Sequence, residues 1–437
     1  VLVALGFPQS ARFKKYNRLA FESEGPLLLR NLSDNFQYLG ALYSRKFTEV
    51  KADEIPASQL KVARKEFYEE FSEKFRAHDD SVRKYTASGK GVRLNTEEIA
   101  SGLDHPWAIV FLPDGRMLVT ERAGRLRVVT REGAISEPIS GLPRVHVQGQ
   151  GGLLDVVLGP SFVTDRMIYW SYAEPRDGGR GTSVARGRLS DNLRRVENVQ
   201  VIFRQTPAPD TGGHYGSRLV FDRVGHLYVT LGERQRPDTR VLAQDLSTHL
   251  GKIVRINPDG SVPADNPFIG REGALPQNWS YGHRNVQGAD LNPDTGELWI
   301  VEHGPRGGDE INIPRIGLNY GWPIIGYGID YDGSPQHETS PREGMEQPIY
   351  YWDPVIAPGD MDFYRGVLFP WRGDVLIAGL DTQALVRLDV EGERVTGEER
   401  FALGVGRIRD IAESEDGALW VITDEDNGRI LRLTPQL

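Results

Sequence analysis

His214 stands in the stretch GGHYGSRL, with Gly212, Gly213 and Gly216 around it and an apolar strand-like run after it. A neutral imidazole accepts a proton near pH 7, and a glycine-walled loop is expected to leave its ring open to a substrate. An ordinary loop histidine is the competing reading. His226, inside VGHLYV, reads as structural. In YGHRNVQG (281–288), Arg284 stands beside Asn285. A planar cationic fork next to an amide can clamp a carboxylate or an enolate-like oxygen; a loop salt bridge is the alternative. In VQGQGG, Gln148 and Gln150 flank Gly149. Glycines there allow the backbone to approach a ligand closely, or simply to make a tight turn.

The richest stretch is VEHGPRGGDEINIPRIGLNYGWP (301–323). His303, Gly304 and Pro305 follow a strand-like run; Asp309, Glu310 and Asn312 follow a Gly-Gly pair, with Asn319 and Tyr320 close behind. Carboxylate and carbonyl oxygens on a kinked loop suit a hard cation such as calcium, although the spacing is not that of an EF-hand. Near the end, GVGRIRD sets Arg407 and Arg409 two apart, on one side of a strand. Two parallel arginines aimed inward imply an anionic ligand with more than one acid group. Together these residues describe a site for a polyanionic small molecule and a neutral polar substrate.

Such residues need a scaffold that brings distant loops to one place. A turn followed by an alternating apolar strand recurs as FLPDGRMLVTE (111), LGPSFVTDRMIYWSYA (158), FDRVGHLYVTLGE (221), LNPDTGELWIVEHG (291), FPWRGDVLIAGLD (369) and ESEDGALWVITDE (413). A second strand often follows, as in GRLRVV, GKIVRINPDG, ALVRLDVEG and GRILRLTP. β units repeated every few tens of residues are the sequence form of a propeller, and six copies predict six blades. The strand near VRLNTEEIA (92–100) is expected to join the last blade beside RILRLTP, closing the ring and removing exposed edges. A β-sandwich array is the less economical alternative.

The 437 residues are 39% apolar, with 49 glycines and 27 prolines, enough for a large all-β domain with many turns plus an appendage. The net charge of −9 and scattered basic residues argue against a nucleic-acid partner. With no cysteine, disulfides, thiolate metal sites and a cysteine nucleophile are excluded. No apolar run approaches the ~20 residues that span a bilayer. The opening VLVALGF reads either as the remainder of an export segment or as a plain strand. Residues 1–95 are expected to form a separate, mainly helical extension: helical spacing predicts Leu60, Phe67, Phe71 and Phe75 on one face after an N-cap at Ser58, and TASGKG (86–91) reads as a linker. Residues 96–437 form the propeller.

Taken in order, GQGGLLD, GGHYGSRL, LGKIVRINPDGSVPADNPF, YGHRNVQG, EHGPRGGDEIN, NYGWP, VIAPG and GRIRD resemble the soluble aldose sugar dehydrogenases of the glucose/sorbosone type. These enzymes use pyrroloquinoline quinone (PQQ). The resemblance spans roughly residues 95–437 and implies a six-bladed propeller, an aldose substrate oxidised at C1 to a lactone, PQQ and Ca2+ as cofactors, and an external electron acceptor. It also implies a periplasmic or secreted location. His214 then corresponds to the base that takes the C1 hydroxyl proton as hydride passes to the quinone. Arg284, Asn285, Gln150 and His303 fall on the quinone or substrate side, and Arg407 with Arg409 on the quinone carboxylates. Gly304 and Pro305 correspond to carbonyl ligands of the cofactor's calcium, and Glu310 and Tyr320 to a further calcium.

Two features depart from the family. AGLDTQ places Asp381 where a lysine commonly approaches the cofactor's carboxylates, and an aspartate there would repel a triacid. Residues 1–95 match nothing familiar in it. A calcium-dependent lactonase, or a non-catalytic binding propeller whose cofactor site has decayed, are the other readings that a six-bladed ring permits.

Overall fold

The computed structural model describes residues 92–334 and 341–436. The helix expected around Leu60–Phe75 lies outside the described residues. The closing strand β1 runs Leu94–Leu103; blade one holds β2 (Pro106–Phe111), β3 (Met117–Glu121) and β4 (Arg125–Val129). Blade two holds β5 (Leu153–Leu158), β6 (Met167–Arg176), β7 (Gly179–Leu189) and β8 (Val196–Arg204). Blade three holds β9 (Leu219–Phe221), β10 (Leu227–Thr230), β11 (Lys252–Ile256) and β12 (Asn278–Tyr281). Blade four holds β13 (Val286–Leu291), β14 (Leu298–Glu302), β15 (Asp309–Asn312) and β16 (Tyr350–Trp352). Blade five holds β17 (Pro358–Phe363), β18 (Val375–Gly379), β19 (Ala384–Glu391) and β20 (Arg394–Ala402). Blade six holds β21 (Ile408–Glu413), β22 (Leu419–Thr423) and β23 (Gly428–Pro435).

Each blade is an antiparallel meander in which every strand pairs with the next. The sixth sheet has the order β1-β23-β22-β21, so β1 supplies its outer strand, with Leu94 opposite Pro435 and Glu97 opposite Arg432. The expected ring closure is therefore present.

The apolar side chains explain why the blades stack. In β3, β14, β18 and β22 every residue is buried, because both faces of a central strand are covered by neighbouring blades. Alternation then divides the residues between two cores: Trp299 and Val301 pack toward blade five, whereas Leu298 and Ile300 pack toward blade three. Similarly Leu118 faces blade two, and Val119 faces Ile422 and Ile430 of blade six.

Five of the six innermost strands share a further device. Their pairing to the second strand slips near the start, between Pro106 and Ala108, Leu153 and Val156, Val286 and Gly288, Pro358 and Asp360, and Ile408 and Asp410. A β-bulge turns its unpaired residue aside. Here the unpaired residues include Trp107, Gln287 and Arg409, and they meet one another: Arg409 Nη1 donates to Gln287 Oε1 at 3.1 Å and its guanidinium lies 5.8 Å from the Trp107 ring. Gly359, also unpaired, has no room for a side chain, since a Cβ would sit 2.4 Å from the Arg409 carbonyl oxygen.

Candidate active site

In an antiparallel blade, the loop entering the first strand and the hairpin joining the second to the third open at the same end. His214, Gln150, Arg284 and Arg407 lie on entering loops, and His303, Gly304 and Pro305 on such a hairpin, so all belong to one face.

His214 has a left-handed backbone (φ 48°) and is 5% exposed. This corrects the expectation of an open ring: the glycines bring other backbone close instead of leaving space. A Cβ on Gly149 would stand 2.5 Å from the Gly212 oxygen, and one on Gly232 would stand 2.1 Å from the His214 oxygen. The loop is pinned by two amides. Gln150 Oε1 accepts the His214 N–H at 2.7 Å, and Asn285 Oδ1 accepts the Gly216 N–H at 3.1 Å. Both oxygens are thus committed to the loop, leaving the amide NH2 groups of Gln150 and Asn285 as the donors toward a ligand.

The His214 ring is oriented by Glu233, whose Oε1 lies 3.0 Å from Nδ1. Glu233 is fully buried. Burial opposes its ionisation, yet His214, Arg284 and the Gln235 N–H hold its carboxyl below the usual range. An ionised Glu233 fixes the proton on Nδ1, so Nε2 carries the lone pair. Burial first, then the neighbouring Arg284, pushes the His214 pKa down and keeps the ring neutral.

Arg284 donates Nη1–H to the His303 oxygen at 3.0 Å and lies over Trp322 at 5.3 Å. His303 donates from Nε2 to the Pro358 oxygen at 2.6 Å, and burial pushes its pKa down to about 3. It is therefore neutral, with Nδ1 as an acceptor. The charges of Arg284 and Arg409, and that of His214 were it protonated, also oppose a proton on His303. Arg409 is buried and Arg407 is 48% exposed at its side chain; both approach Asp424, at 3.2 and 3.5 Å. The two arginines thus share one carboxylate, Arg409 from a buried position and Arg407 from a half-exposed one at the mouth of the ring.

Beside Arg284, a narrow cleft is lined by Glu302, Gly304, Pro305, Glu310, Tyr320 and Trp322. Glu302 accepts the Arg284 N–H at 2.6 Å and lies 3.1 Å from His283 Nδ1; Asn312 bridges it to Glu310. Burial and the nearby Glu302 charge push the Glu310 carboxyl well above its usual range. The Tyr320 hydroxyl donates to the Ile313 oxygen and accepts the Arg315 N–H, which holds it against the 313–315 backbone. Asp309 is spent on the backbone N–H groups of Gly304, Ile356 and Ala357, and burial raises it to about 7.

Sequence reasoning passed over Glu233, Glu302 and Asp424. The repeat carried the signal: Glu121 and Glu302 end the second strand of their blades, and Glu233 and Asp424 follow that strand within a few residues.

A family model described as glucose/sorbosone dehydrogenase matches residues 103–432. The aldose sugar dehydrogenase of Escherichia coli (strain K12) is 46% identical over 349 residues, covering 78% of this chain and 93% of that protein. Quinoprotein glucose dehydrogenase B of Acinetobacter calcoaceticus is 30% identical over 270 residues, 56% of this chain and 55% of that one. Among solved structures, the apo form of the soluble E. coli aldose sugar dehydrogenase superposes with a TM-score of 0.76 at 45% identity, covering 79% of this chain and all of that one (100%). The PQQ-bound aldose sugar dehydrogenase of Streptomyces coelicolor gives a TM-score of 0.66 at 27% identity, covering 79% and 99%.

Proposed function

The chain belongs to the glucose/sorbosone dehydrogenase family, and on that basis we propose that it oxidises aldose sugars at C1 to lactones, with PQQ and Ca2+ as cofactors and an external electron acceptor. The observation that carries this reading is His214, whose Nδ1 is held by the buried Glu233 while Nε2 is left without a protein partner among the described residues.

The residues present fit the two cofactors. The Nε atoms of Arg284 and Arg409 are buried without a hydrogen-bond partner in the protein, as an anion site requires. Glu310 makes no ion pair among the described residues and lines the same cleft as Gly304 and Pro305, a set whose carboxylate and carbonyl oxygens suit calcium. When bound, PQQ polarised by calcium would accept hydride from the sugar C1. Arg284 and Arg409 would hold its acid groups, Gly304 and Pro305 would offer carbonyl oxygens to its calcium, and Glu310 with the Tyr320 carbonyl would hold a further calcium. His214 Nε2 takes the proton of the C1 hydroxyl as the C1–H bond breaks, and Glu233 stabilises the imidazolium that results. The reading carries an exported protein with it, and a lactonase would leave Arg284 and Arg409 without a use.

The test combines purified protein, Ca2+ and PQQ, follows quinone binding by absorption, then adds aldoses with an artificial electron acceptor. Stoichiometric binding and sugar-dependent reduction are expected. Well-folded protein that fails to bind micromolar quinone would sink the proposal.

Asp381 is exposed on the β18–β19 hairpin, its N–H bonded to the oxygen of Ile356, two residues before the Pro358 whose oxygen meets the His303 ring. Asp381→Lys should tighten PQQ binding, because it replaces repulsion of a triacid by attraction near the rim. A looser complex in the same absorption titration would count against this placement of Asp381.

A further inference from the structure

We propose that Asp104, His105 and Asp426 form a site for a divalent transition-metal ion of the Zn2+ class, at the seam where the last blade meets the first. The inference is independent of the sugar chemistry. Among the described residues this is a group of three His and carboxylate side chains whose ligand atoms all lie within 4.8 Å of one another. Asp104 and His105 occupy the passage from β1 to β2, and Asp426 the hairpin between β22 and β23.

The arrangement of the imidazole points to a cation. His105 Nδ1 lies 2.9 Å from Asp424 Oδ1, and Nε2 lies 2.8 Å from Asp426 Oδ1. A neutral imidazole has one N–H, so only one of these contacts can be a hydrogen bond; the other sets two lone pairs against each other. The proton lies toward Asp424, because the Nδ1 contact has hydrogen-bond geometry at 2.9 Å and that carboxylate is mostly buried and fixed in place. The Nδ1–H then points to Asp424, and the Nε2 lone pair points at the Asp426 carboxylate. That is the outer-shell pattern of metal sites, in which a carboxylate fixes the tautomer of the ligating histidine and raises its basicity.

The rest of the site can follow. His105 is held in place by backbone bonds, its N–H to the Glu425 oxygen at 2.9 Å and its oxygen from the Arg122 N–H at 3.0 Å. Asp104 gives one oxygen to Arg125 at 2.9 Å and keeps the other. Asp426 is 98% exposed at its side chain and free to swing onto an ion. One imidazole and two carboxylates form a mixed nitrogen and oxygen set that favours Zn2+ over Ca2+, with further positions for water. Because Asp424 also meets Arg407 and Arg409, an ion here would tie the ring closure to the arginines of the candidate active site.

The test titrates ZnCl2 into the chelator-treated full chain by calorimetry, with excess Ca2+ present to fill oxygen sites. One Zn2+ per chain is expected, with a rise in Tm, and Asp426→Asn and His105→Gln should each weaken binding at least about tenfold and abolish the Tm rise. Asp426→Asn guards against misfolding, since that side chain lies in solvent. No stoichiometric Zn2+ binding would mean that His105 simply carries both protons between two carboxylates, and would overturn the proposal. Binding of equal strength in both variants would overturn it too, placing the ion elsewhere.

Discussion

His214→Ala is expected to lower the turnover of aldoses by about two to four orders of magnitude, the span a positioned general base contributes, while PQQ still binds. The separation of effects follows from geometry. His214 presents Nε2, whereas Arg284 and Arg409 present the buried unpaired nitrogens. The pH profile supplies an independent check. Burial and Arg284 lower the His214 pKa from its ordinary 6.5, so the ring stays unprotonated and competent as the pH falls through that value. The acid limb of kcat should therefore fall below 6.5. The same shift makes the native state lose stability on acidification, beginning near the unfolded value and complete below the folded one. A limb at or above 6.5, or unchanged turnover in His214→Ala, would remove this histidine from the proton transfer.

Arg218→Met should destabilise the whole ring by roughly 3–5 kcal/mol, the cost of leaving buried charge without its partner. Arg218 is 6% exposed, yet three carboxylates from three blades converge on it. Asp155 lies at 3.2 Å, Asp360 at 3.0 Å and Asp410 at 2.9 Å, and the guanidinium stacks 4.6 Å from Trp107 of blade one. Two of these carboxylates also reach across blade boundaries to backbone: Asp155 Oδ2 accepts the Leu219 N–H and Asp410 Oδ2 the Ile109 N–H, each at 2.7 Å. Burial raises Asp155 to about 6, and pushes Asp360 well above its usual range. Protonation removes the uncompensated charge, so the deficit of the variant should be largest at neutral pH and shrink on mild acidification. Urea unfolding of both proteins at the two pH values reads this directly. A deficit that is small at neutral pH, or that grows in acid, would mean that Arg218 is not the counter-charge of this cluster.

Much of the scaffold was legible because it is written in local periodicity. Six turn-and-strand repeats became six sheets, and VRLNTEEIA paired with RILRLTP as the closing strand. Strand alternation is a two-residue rule, so a single repeat shows it. The candidate loops were legible for a related reason: glycine runs and clustered polar residues stand out between apolar strands. What those residues do was less so. Gln150 and Asn285 read as ligand contacts, yet their oxygens hold the His214 loop; Asp309 reads as a cation ligand, yet it caps three backbone N–H groups.

The sequence by itself determined the number of blades, the closure of the ring and the set of loops at its mouth, since each follows from residues near one another in the chain. Only the tertiary structure decided which groups meet: Glu233 behind His214, Asp424 between Arg407 and Arg409, and Arg218 among carboxylates of other blades. Arg218 donates to the Gly359 oxygen across 141 residues of chain. Such a contact depends on how blades rotate about the axis and where each innermost strand bulges. No local pattern encodes either, because both are settled by packing between neighbouring blades.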